Sequence, residues 1–240
     1  MRYQEVVAEA KKATRTGLGK IEFIACDTWL RGDQINLWTY WQGYQLKDID
    51  ENGVDILLVG QDWGAPENDK NEKTMASIRG IQAGKDVTYV ATGPTDRTMA
   101  KMFTAFGNDV KIMKKDPGMR LFFTNYSLGY RGNGPESGGM TKTIMRQDEG
   151  LFHKLVLSIH PKIIICLGKI TFELVSDTRV KGFVKQLHDG KPFKALYPLD
   201  NNIPVYGVAH CGARGRNNVG GEGNMMKAWI VIAEDYKQLT

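Results

Sequence analysis

The segment Val54-Asp55-Ile56-Leu57-Leu58-Val59-Gly60 is apolar at five of its seven positions and ends in glycine. From Ile56 to Val59 no position is left polar, so neither side of an extended chain would face water. That is how a strand buried on both faces of a sheet reads, and such strands belong to parallel sheets covered by helices. Three later segments carry the same signature: Leu121-Phe122-Phe123-Thr124-Asn125, Lys162-Ile163-Ile164-Ile165-Cys166-Leu167-Gly168, and Pro204-Val205-Tyr206-Gly207-Val208-Ala209-His210.

Helical patterns separate and follow these runs. Met99, Met102, Phe103 and Phe106 recur at i, i+3, i+4 and i+7 behind the start signal Pro94-Thr95-Asp96. Leu151, Leu155 and Ile159 form a second stripe stopped by Pro161, and Met225, Trp229, Ile232 and Tyr236 form a third. Strands alternating with helices predict an α/β fold, a three-layer α/β/α arrangement around a mainly four-stranded parallel sheet. Residues 1–240 read as one domain. Within it residues 1–50 form an N-terminal extension, helical to about Thr16 and then aromatic, with Trp38, Tyr40, Trp41 and Tyr44 read as a layer packed on the core. The glycine-rich stretches 129–139 and 212–223 read as loops.

In an open α/β sheet, ligands bind beyond the C-terminal strand ends, so the polar residues that follow each apolar run are the ones to inspect. The first run leads into Gln61-Asp62-Trp63-Gly64-Ala65-Pro66-Glu67, the second ends in Thr124-Asn125, and the fourth ends in His210-Cys211-Gly212-Ala213-Arg214. No Gly-Lys-Ser/Thr phosphate loop is present, which gives no support to a nucleotide hydrolase. An Asp, an Asn and a His converging on one pocket suit removal of a base from its sugar. That reaction builds positive charge on the sugar and negative charge on the leaving base. A carboxylate steadies the cation and orients water, a donor at the base oxygen stabilises the departing anion, and an amide reads the base edge.

At these positions the chain resembles the uracil-DNA glycosylase superfamily. Gly60-Gln61-Asp62 is similar to the Gly-Gln-Asp opening of the water-activating motif in one branch. The resemblance implies Asp62 as the catalytic carboxylate, with Gln61, Trp63 and Gly64 around the base. Where that branch continues Pro-Tyr-His this chain has Trp63-Gly64-Ala65, so the tyrosine that excludes thymine has no counterpart. Gly64 and Glu67 instead resemble the Gly-Glu-Ala-Pro-Gly form of the iron-sulfur branch, whose Thr-Asn strand end matches Thr124-Asn125 and implies Asn125 as the base reader. Ile164 to Gly168 is similar to the third strand and glycine turn of the family. His210 stands where its His-Pro-Ser motif begins, with Cys211-Gly212 in place of Pro-Ser, and is implied as the donor to the leaving base. Tyr89 lies where the iron-sulfur branch stacks a Phe on the base. The resemblance runs in order from about residue 54 to 238.

Taken singly, each of these residues has a plainer use. An Asp after a strand most often caps a turn, and a strand-end Asn most often satisfies loop backbone. Their common position at strand ends, and the Gly-Gln before Asp62, favour the site. His153, His160 and His188 read as ordinary structural histidines. Of the basic residues in loops, Arg131, Arg214 and Arg216 are the expected phosphate contacts.

With 32 Lys and Arg against 27 Asp and Glu, the net charge of +5 is compatible with a polyanionic partner. The expected partner is DNA with a flipped damaged base. Three cysteines, Cys26, Cys166 and Cys211, supply neither a disulfide framework nor four cluster thiolates, so no iron-sulfur cluster, metal or other cofactor is expected. The polar start and the absence of any long apolar run predict a cytoplasmic chain without a membrane span. Two further readings remain open: a nucleic-acid-binding domain of this fold that has lost the reaction, and an α/β enzyme acting on a small molecule.

Overall fold

The computed structural model describes residues 1–19, 21–23, 29–30, 35–36, 49–62, 87–88, 94–107, 112–113, 119–129, 131–133 and 139–239. Its centre is a five-stranded sheet of β1 (Val54–Gly60), β2 (Leu121–Asn125), β3 (Pro161–Leu167), β4 (Phe193–Tyr197) and β5 (Asp200–Val208), in the order β4-β5-β3-β1-β2. Four strands are parallel, as the apolar runs predict, and β4 is added antiparallel at one edge. The first two runs coincide with β1 and β2, and β3 is displaced by one residue. The fourth strand begins four residues before the predicted run and ends two before His210; its first residue, Asp200, pairs with Tyr197 of β4 across a register shift.

The long apolar strands owe their burial to helices on both sides. Tyr206 and Gly207 are neighbours on β5 and so point to opposite faces. The Tyr206 hydroxyl donates to Asp235 at 2.9 Å on the helix Glu222–Lys237, which we label α6. Behind Gly207 lies Phe172, so close that a Cβ there would stand 2.8 Å from its ring. Phe172 belongs to the helix Lys169–Val175 that follows β3, labelled α4, and Phe183–His188 (α5) comes next in the chain. On the α6 side, the helix Pro94–Phe103 (α2) packs Phe103 edge-on against Trp229 at 5.1 Å. Its stripe ends not in a further α-turn but in a 3₁₀ turn, Thr104–Phe106, closed by Gly107.

The helices Tyr3–Lys12 (α1) and Glu149–Ile159 (α3) pack together. Tyr3 sets its ring against Phe122 of β2 at 5.8 Å, and helix α3 stops at His160, as Pro161 requires. The chain after α1 is pinned by a buried ion pair. The Arg15 Nε donates to Asp148 Oδ1 at 2.7 Å, while Asp148 Oδ2 accepts from the Ser127 hydroxyl and the Leu128 amide at 3.1 and 3.0 Å. Both side chains are essentially sealed from water, with 1% and 2% exposure. A buried charge is tolerable only with this kind of satisfaction. The one polar residue inside β1, Asp55, is served similarly by Lys162 at 2.8 Å and by the Arg120 amide at 2.8 Å. The aromatic layer at Trp38, Tyr40, Trp41 and Tyr44 lies outside the described residues. Among the described residues, no helix is long and apolar enough to cross a membrane.

Candidate functional site

The sequence order reverses at β1: β2 lies on one side of it and β3 on the other, which defines the switch point where an open α/β sheet forms its crevice. The register shows how level that rim is. Asn125 pairs with Gly60, Cys166 with Val59, and Val208 with Leu167, so Asn125, Gly60, Leu167 and Val208 form one row across the C-terminal strand ends. Asp62 stands two residues beyond this row on β1, and His210 two beyond it on β5. With strands about 4.8 Å apart, β1 and β5 are separated by about 10 Å across β3. The chain leaves β3 at Gly168 with φ of 99°, a value that side-chain-bearing residues rarely adopt, and turns at once into α4.

Asn125 is 3% exposed, and its side chain lies over the backbone of β1: a Cβ at Gly60 would stand 2.1 Å from Asn125 Oδ1. The glycine that ends the first apolar run is therefore the surface on which the amide rests. The adjoining backbone is tied across the same two strands, with the Tyr126 amide donating to the Gly60 carbonyl at 2.9 Å and the Ser127 amide to Gln61 at 3.1 Å. Gln61 and Asp62 are half-buried, and the Gln61 amide nitrogen lies 3.5 Å from Asp62 Oδ1.

His210 is exposed, but the protein packed against its ring holds its pKa below the ordinary histidine value. The negative charge of Asp62 acts in the opposite direction and does not overcome it. The Gly212 amide donates to His210 Nδ1 at 3.0 Å. With Nδ1 accepting, the proton of the neutral ring resides on Nε2, which becomes the donor. The following turn is built around this histidine. Residues Ala213–Asn218 form a short helix where the glycine content predicts a loop. Within it lies Gly215, where a Cβ would come within 2.0 Å of the His210 carbonyl oxygen. That glycine admits the close approach.

The expected phosphate contacts differ in placement. Arg214 is exposed on the short helix, whereas Arg216 is half-buried and bonded to Thr98 and Glu222. The backbone of Arg131 pairs with Phe23 in a small antiparallel ladder, and its side chain is outside the described residues. Trp63, Gly64 and Tyr89 are outside them as well. Cys166 and Cys211 are buried, and burial pushes the Cys166 thiol well up, which keeps it protonated. Among the described residues, no three His, Cys, Asp or Glu side chains are grouped to hold a metal ion. The partners supplied to His210 by Gly212 and Gly215 escaped the sequence reading. The His-Cys-Gly spacing is the only local sign of them in the sequence. Compared with known proteins, the sequence matches no protein-family profile and no characterised protein.

Proposed function

We propose that this chain is a monofunctional DNA glycosylase of the uracil-DNA glycosylase type, cutting uracil or a related aberrant base from a nucleotide flipped into the strand-end crevice. The reading rests above all on one observation: at the strand-end rim His210 Nδ1 is occupied by the Gly212 amide at 3.0 Å, which leaves Nε2 as the donor. A neutral histidine with its proton on Nε2 can give a hydrogen bond to the oxygen of a leaving base without having to be charged first. Such a bond strengthens as negative charge develops on the base. Asp62, on the other side of β3, is the carboxylate for water and for the positive charge on the sugar. Asn125, buried and seated on Gly60, offers both a donor and an acceptor to a base edge. Flipping the nucleotide is the step that brings the base to a recessed rim of this kind.

The decisive experiment is incubation of the protein with oligonucleotides carrying uracil, hypoxanthine or mismatched thymine, scored for abasic sites. Excision of at least one base is expected, with Asp62→Asn slowing it by ~10² to 10⁴ while DNA binding survives. Binding with no excision of any damaged base would instead favour a nucleic-acid-binding domain of this fold. Neither binding nor excision would favour a small-molecule enzyme.

A further inference from the structure

Arg216 is expected from the sequence to reach a phosphate, yet its guanidinium is directed inward. Nη1 lies 3.3 Å from Glu222 Oε1 and 3.5 Å from the Thr98 hydroxyl. Thr98 is free to accept, because its own proton is given to the Pro94 carbonyl at 2.9 Å. The second oxygen of Glu222 accepts from Lys101 at 2.6 Å. Thr98 and Lys101 stand three residues apart on α2, and so share a face. Glu222 opens α6, and Arg216 lies in the short helix behind His210. One carboxylate and one guanidinium thus join three segments. The hydrogen bonds of Lys101 and Arg216, with their charges, hold the Glu222 carboxyl below its usual range and keep it ionised.

The backbone of Arg216 completes the chain of contacts to the imidazole. Its amide donates to the Gly212 carbonyl at 3.0 Å, and the Gly212 amide in turn donates to His210 Nδ1 at 3.0 Å. The side chain is therefore anchored to α2 and α6, while the main chain holds the residue that orients the ring. A Cβ at Gly212 would lie 3.2 Å from the Thr95 hydroxyl, so the start of α2 also abuts this turn.

We propose that Arg216 and Glu222 are positioning residues for His210, fastening its turn to α2 and α6 so that Nδ1 keeps its backbone donor and Nε2 keeps the proton. In its catalytic consequence this rests on the glycosylase reading, but its physical content does not. The test uses Arg216→Ala, Arg216→Lys, Glu222→Gln and the double variant Arg216→Ala with Glu222→Gln, all in the full chain. It measures the tautomer and titration midpoint of His210 by nitrogen NMR, single-turnover excision from a uracil oligonucleotide, and the salt dependence of DNA binding. Arg216→Ala and Glu222→Gln are expected to shift the His210 tautomer signals. They should slow excision on the order of tenfold to a hundredfold, the scale set by misplacing a reacting group by about 1 Å. DNA affinity and its salt slope should stay unchanged, and the double variant should cost no more than the worse single one, since both act through one contact. Arg216→Lys, which keeps the charge opposite Glu222, should recover part of the loss. If Arg216→Ala lowers the salt slope by about one and leaves the His210 signals alone, Arg216 is a phosphate contact and the proposal is overturned. It is overturned equally if neither measurement moves. Shifted His210 signals in a protein that excises no base would sustain the positioning role and remove the glycosylase reading.

Discussion

Replacing Gly60 by Ala tests the site at its tightest point. The added methyl carbon would stand 2.1 Å from Asn125 Oδ1 and 3.3 Å from Asn125 Cγ. An ordinary non-bonded contact lies near 3.5 Å, so the amide must retreat by more than about 1 Å. It has little room to do so at 3% exposure, with Asn125 locked opposite Gly60 in the parallel ladder between β1 and β2. Overpacking a well-filled site costs about 1 to 3 kcal/mol of stability. Moving the base-reading amide by that distance should cost on the order of 10² in excision rate, equivalent to about 2.7 kcal/mol in the barrier. Urea denaturation gives the first quantity, and single-turnover cleavage of a uracil oligonucleotide at saturating enzyme gives the second. A stable variant that cleaves at the natural rate would show that the position of Asn125 does not matter to the reaction, and the base-reading role would fall with it.

Titration of His210 by NMR should give a midpoint below 6.5, and Asp62→Asn should lower it further by removing the charge that raises it; a midpoint that ignores Asp62 would break the proposed pairing across the rim. Because the folded pKa is depressed, the unfolded chain binds the proton first. The contribution of His210 to stability is therefore intact above 6.5 and is lost as pH falls from there through the folded midpoint, a loss that His210→Gln should abolish in pH-dependent denaturation curves. Asp148→Ala removes the buried carboxylate that pairs with Arg15 and should destabilise the fold by ~3 to 5 kcal/mol, with a change under about 1 kcal/mol in urea melts counting against a structural role for the pair. Arg214, exposed on the short helix that follows His210, should act as a phosphate contact: Arg214→Ala is expected to lower the slope of log affinity against log salt by about one, and an unchanged slope would remove it from the interface.

The central sheet was legible because each of its parallel strands is buried on both faces, and that demand writes itself locally as an unbroken apolar run. The edge strand β4 was not, since it is exposed at alternate residues: Lys194 and Leu196 face water while Tyr197 is buried. A five-residue run of that kind resembles many loops. The short helix at 213–218 was masked by Gly215, whose lack of a side chain serves contact with His210 rather than chain flexibility. The partners of Arg216 stay hidden in the sequence for a different reason. A charged residue in a basic loop reads as solvent-facing until its partners, Thr98 on α2 and Glu222 at the start of α6, are brought beside it.

The apolar runs and helical stripes alone determined the α/β alternation, and with it the strand ends at which Asp62, Asn125 and His210 had to be sought. Only the tertiary structure decided how those ends relate. The register that levels Asn125 with Gly60, the amide of Gly212 that sets the His210 tautomer, and the tie of Arg216 to Thr98 and Glu222 all join segments distant in the chain or depend on the direction of a side chain. Burial acts on each residue where it stands and leaves its mark in local composition. Hydrogen bonds and electrostatic coupling act between residues, and come into being only when packing brings the partners within reach.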